Sequence, residues 1–105
     1  MTIFYFSAIN ISIQYLERLK DNNINFSEAW LFGSYANGLQ KENSDIDLAI
    51  ILDDTEKTFD TEIKLMIIRC GEETLIEPHA FTKEEFDKNL PIVNQIIRNG
   101  ERLKI

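Results

Sequence analysis

Apolar positions along this chain fall into two alternating rhythms. Ile9, Ile13, Leu16 and Leu19 recur every three or four residues, with Glu17, Arg18 and Lys20 elsewhere on the wheel. That spacing predicts a first helix, stopped by the breaker Asp21-Asn22-Asn23. Ala29-Trp30-Leu31-Phe32 is a short apolar, aromatic run halted by Gly33-Ser34, which predicts a buried strand feeding a tight turn. Ile46 to Leu52 is almost unbroken aliphatic, the pattern of a strand covered on both faces, and Asp53-Asp54-Thr55 closes it. Phe59, Ile63, Met66, Ile67 and Cys70 return to helical spacing and predict a helix whose stripe lies on the sheet, ended by Gly71. Thr74 to Phe81 reads as a third strand that Pro78 pushes toward an edge. Thr82 with Glu85 three residues on is a capping box opening a short helix through Phe86. Pro91 to Ile97 gives a last helix, with Pro in the first turn and Gly100 beyond the end. The order predicts an α/β (α+β) fold in which helices pack a small mixed β-sheet.

Composition narrows the class. A chain of 105 residues is read as one domain, 1–105, and 44% hydrophobic with 28% charged residues excludes disorder. Eleven lysines and arginines against 18 aspartates and glutamates leave a net charge of -7, the wrong balance for gripping a phosphate backbone, so DNA and RNA are not expected partners. The single Cys70 excludes an internal disulfide, is read as a small buried thiol, and fits a reducing, cytoplasmic compartment. The apolar first thirteen residues carry no leading positive charge and are interrupted by Asn10 and Ser12, so they are not read as a signal peptide. Nor does any stretch reach the length that crosses a bilayer.

The chemistry concentrates between the first two strands. Gly33-Ser34-Tyr35-Ala36-Asn37-Gly38 follows the first strand directly, and such a turn can bring backbone amides and a hydroxyl close to an anion, although Gly-Ser alone also makes an ordinary turn. Asp45-Ile46-Asp47 enters the second strand, where alternation sends both carboxylates to one face. At about 4 Å and an effective dielectric near 20, two such charges repel by roughly 4 kcal/mol, so the pair either sits in solvent or calls for a cation. Carboxylate oxygens with substrate phosphates and water suit Mg²⁺. His79, the single histidine, shows no partner in the sequence and is read as a packing or surface residue. Trp30, Phe32 and Phe81 are read as core.

Leu31-Phe32-Gly33-Ser34-Tyr35-Ala36, ten residues between Ser34 and Asp45, and then Ser44-Asp45-Ile46-Asp47-Leu48 resemble the minimal nucleotidyltransferases of the DNA polymerase beta superfamily. The resemblance covers residues 10–105. It implies that Gly33 and Ser34 hold the triphosphate and that Asp45 and Asp47 bind two Mg²⁺ ions. A third carboxylate on a neighbouring strand completes the metal set in that family, and Glu77 in Leu75-Ile76-Glu77-Pro78-His79 is the candidate, as metal ligand and catalytic group. Many relatives carry Asp there, and a strand-edge glutamate is equally at home in water. The implied reaction moves a nucleoside monophosphate, AMP from ATP or the equivalent from another NTP, to an acceptor hydroxyl. The implied partner is a helical HEPN-type toxin, this chain being its antitoxin, with a homo-oligomer as a further option. A non-catalytic antitoxin that covers its partner, or a transferase acting on a small-molecule hydroxyl, stands as the alternative.

Overall fold

The aliphatic run becomes an inner strand, as its pattern requires. The computed structural model describes residues 3–33, 45–53 and 55–104. Helix α1 (Ile3–Asp21) is followed by strands β1 (Phe26–Phe32) and β2 (Ile46–Leu52), helix α2 (Phe59–Ile67) and a 3-10 turn (Gly71–Leu75). Strand β3 (Ile76–Thr82), helices α3 (Lys83–Asp87) and α4 (Pro91–Asn99), and a two-residue strand β4 (Glu101–Arg102) complete the order. The sheet runs β3-β2-β1-β4, with β1 antiparallel to both β2 and β4, and β2 parallel to β3. It is therefore mixed, and Pro78 sits on an edge strand, where its missing N–H costs least.

Side-chain alternation divides the sheet into two packed faces. Ala29, Leu31, Ile46, Leu48, Ile50 and Leu52 meet α1 and α2 through Tyr15, Leu16, Leu19 and Leu65. Phe32, Ala49 and Ile51 meet Phe86 of α3 and Val93 and Ile96 of α4, with Trp30 and Phe81 partly buried against them. Every residue of β2 except Asp47 is buried, so a charge in the middle of this strand's start stands out from its surroundings. The Tyr15 hydroxyl donates to the Leu65 carbonyl at 2.5 Å, fixing α2 to α1, and burial pushes the phenol above its ordinary range.

Three expectations need correction. The predicted stripe on α2 does not lie on the sheet: Phe59 and Ile67 are 74% and 73% exposed, and Ile63 and Met66 are also open. Leu65, two residues from Ile63 and so on the opposite side of the wheel, is the buried contact. Periodicity identifies an apolar face without saying what covers it. Cys70 is exposed rather than buried, because α2 ends at the C-cap Ile68, before Cys70 can complete the stripe. The third strand begins at Ile76 rather than Thr74, since Gly71, with φ of +59°, opens a 3-10 turn first.

That turn is held by a charge in the core. Glu73 is fully buried and accepts from the Arg18 guanidinium at 2.8 Å, Gln14 at 2.6 Å and the Cys70 N–H at 3.1 Å. Burial pushes its carboxyl upward, but these three donors and the Arg18 charge outweigh burial and hold it below the usual glutamate range. The network ties α1 to the segment that delivers β3. The Thr82 and Glu85 capping box forms as expected, and the Lys57 ammonium, hydrogen-bonded to Glu85 at 2.7 Å, also keeps that carboxyl low.

Candidate functional site

Strand β1 ends at Phe32, opposite Asp47 of β2, and the next residue must turn away within one position. Gly33 does so with φ of +77°, a conformation that disfavours any side chain. A Cβ there would also overlap the Asp47 carboxylate, lying 3.1 Å from its Cγ and closer still to Oδ2. The glycine thus has two requirements: a left-handed backbone and room for a carboxylate pressed against the turn.

The parallel pairing of β2 with β3 sets Asp47 beside Glu77 and Ala49 beside His79. Residues two apart share a face, so Asp47, Glu77 and His79 gather on the side of the sheet that continues into Ala49, Ile51 and Phe81. One ligand atom from each lies within 4.8 Å of the other two. His79 Nε2 is 3.2 Å from Asp47 Oδ1, and the Phe32 ring meets the imidazole edge-on at a centroid distance of 5.0 Å. Asp47 and His79 are half-buried and Glu77 is exposed. Among the described residues no lysine or arginine pairs with Asp47 or Glu77. Two carboxylates with no lysine or arginine partner among the described residues, and an imidazole hydrogen-bonded to one of them, form a donor set of the kind that holds a divalent metal. A hollow of about 320 Å³ lined by Asn22, Ile24, Lys64, Ile67 and Ile68 shares no residue with this site.

Of the sequence candidates, Asp47, Glu77 and Gly33 meet at one place. Asp45 is exposed, immediately before β2, and is not part of the close trio. Ser34 lies outside the described residues. His79, read from sequence as packing or surface, has Asp47 as its partner. The signal was there: Glu77-x-His79 carries the same two-residue spacing as Asp45-x-Asp47, but only the register of the parallel pairing sets one against the other.

The family model described as "Polymerase beta, Nucleotidyltransferase" matches residues 14–104. The chain belongs to this nucleotidyltransferase family. The four-stranded mixed sheet with helices on both faces agrees with that fold. A crystal structure described as a candidate nucleotidyltransferase from Sulfolobus solfataricus is similar to this chain, with a TM-score of 0.63 and 19% identity over 80% of this chain and 75% of that one. A crystal structure of a toxin-antitoxin with AMP-PNP gives a TM-score of 0.55 and 24% identity over 91% of this chain and 72% of the other. At these identities the two likenesses carry the fold of the nucleotidyltransferase. Among curated proteins none matches the sequence significantly. No helix among the described residues is long and apolar enough to cross a membrane.

Proposed function

We propose that this nucleotidyltransferase moves a nucleoside monophosphate, AMP from ATP, onto a hydroxyl of a helical HEPN-type toxin and so acts as the antitoxin of the pair. The observation that carries the reading is the meeting of Asp47 and Glu77 across the β2–β3 pairing, directly beside the Gly33 turn, in a chain of this family. The toxin-antitoxin neighbour supports the partner. In the reaction an acceptor oxygen bonds to the α-phosphorus, the bond to the bridging α–β oxygen breaks, and pyrophosphate leaves.

Asp47 and Glu77, with Asp45 at the strand entrance, would hold Mg²⁺, which supplies charge neutralisation of the phosphates when bound. The chain's own contribution is placement. Two hydrogen-bonded strands fix the separation of Asp47 and Glu77, and the absent Cβ of Gly33 lets the turn reach the carboxylate. Ser34 and its neighbouring amides would receive the phosphates. Glu77, the exposed member, is the group open to an incoming hydroxyl and is suited to accept its proton.

One observation favours a second reading, a non-catalytic antitoxin that works by covering its partner. The open face of α2 offers Phe59, Ile63, Met66 and Ile67 to a protein surface. Following label from α-labelled and γ-labelled ATP into the proteins of a host extract, with the native chain and with Asp47→Ala, separates the readings. Transfer of α-label but not γ-label, lost in Asp47→Ala, is expected of the enzyme. Protection from the toxin that survives Asp47→Ala without any label transfer would establish the covering role instead.

A further inference from the structure

We infer that His79 is a nitrogen ligand of the metal site, making it a mixed nitrogen–oxygen site that favours Mn²⁺ over Mg²⁺ more than carboxylates alone would. The inference rests on the metal-dependent reading above and adds a residue to it. Three observations carry it. The register places His79 two residues after Glu77 on the face occupied by Asp47. Its Nε2 stands 3.2 Å from Asp47 Oδ1, and Asp47, Glu77 and His79 each bring a ligand atom within 4.8 Å of the others. The Phe32 ring packs edge-on against the imidazole at a centroid distance of 5.0 Å.

Geometry is compatible with one ion touching all three. Ligand atoms bonded to a single ion at about 2.1 Å are separated by roughly 3 Å when adjacent and about 4.2 Å when opposite. The spacing of Nε2 and Oδ1 matches the adjacent arrangement, and small rotations of the exposed Glu77 bring in the third atom. Without an ion the two groups satisfy each other by a hydrogen bond. With an ion bound, both would offer lone pairs to it. Imidazole is a softer donor than carboxylate or water, and it raises affinity for first-row transition metals more than for Mg²⁺.

Because His79 is the only histidine of the chain, its nitrogen can be labelled without ambiguity. The test is pulsed electron paramagnetic resonance of Mn²⁺ bound to the full chain without an affinity tag, grown with natural-abundance or ¹⁵N-histidine. Nitrogen coupling of the size given by direct imidazole ligation, changing with the isotope, is expected. Bound Mn²⁺ with no such coupling overturns the inference and leaves the metal site standing. No bound Mn²⁺ at all overturns both. A companion measurement compares metal affinities of His79→Gln: Mn²⁺ affinity is expected to fall about tenfold or more and Mg²⁺ affinity by less than about threefold. An equal loss for both ions would assign His79 a structural role and contradict the inference.

Discussion

Replacing Gly33 by alanine separates a backbone effect from a site effect, because a second glycine provides the matched control. Gly33 and Gly71 both adopt left-handed backbone, with φ of +77° and +59°. An alanine in that region costs about 1–2 kcal/mol, which in a chain of this size lowers the melting temperature by about 5–10 °C. At Gly71 nothing lies within 4 Å of the new Cβ, so the cost ends there. At Gly33 the Cβ meets the Asp47 carboxylate, with Cγ at 3.1 Å and the carboxylate's own Cβ at 3.3 Å. Ordinary contact at about 3.5–4.0 Å requires the carboxylate to retreat by roughly 1 Å, a displacement that costs on the order of 100-fold in a positioned reaction. Thermal melts followed by circular dichroism should therefore show the backbone loss alone for Gly71→Ala and a loss at least as large for Gly33→Ala. Mn²⁺ titration should show a loss of about tenfold or more for Gly33→Ala alone. Native metal affinity in Gly33→Ala would refute the placement of Asp47 against the turn.

Further outcomes follow from the same geometry. The Glu73 carboxyl is held low in the folded chain, so it contributes stability above the ordinary glutamate range and loses it as pH falls through the lowered folded value. Melts from about pH 7 down to about pH 3 should show Glu73→Gln less stable than the native chain at neutral pH and less steeply weakened by acid; parallel curves would contradict the role of the Arg18 and Gln14 contacts. In Gly100→Ala the Cβ would overlap the Ile96 carbonyl oxygen and stand 2.9 Å from that of Leu31, both backbone atoms. A loss of about 1–3 kcal/mol in urea titration is expected, and a native midpoint would show that this corner relaxes. Ile67→Asp, at a site 73% exposed, should change stability by no more than about 0.5 kcal/mol; a larger loss would place the α2 stripe back in the core.

Much of the fold was legible because single residues enforced it. The boundaries of β2 follow from Ile46 to Leu52, the stop of α1 from Asp21-Asn22-Asn23, and the start of α3 from the Thr82 and Glu85 box, whose two reciprocal hydrogen bonds both form. The orientation of α2 was not legible. A stripe of Phe59, Ile63, Met66 and Ile67 looks the same whether a sheet or a partner covers it, and Leu65 alone gives no periodic signal. Strand β4 was missed because Glu101 and Arg102 are polar and exposed; the strand forms through its pairing with Trp30 and Leu31. Within the site, Asp47 could be proposed from residue type and spacing, and Glu77 only from the family resemblance. His79 could not, because its relation to Asp47 depends on the zero offset of two parallel strands thirty residues apart in the chain.

The carboxylates beside the Gly33 turn are proposed to bind a triphosphate through a metal, and calorimetric titration of a non-hydrolysable ATP analogue tests this directly. An acidic chain of net charge -7 repels a polyanion unless a cation inverts the local field. Saturable binding with Mg²⁺ or Mn²⁺ present, abolished by EDTA and by Asp47→Ala, is the predicted result. Equal affinity in EDTA, or no binding with either metal, would contradict the account.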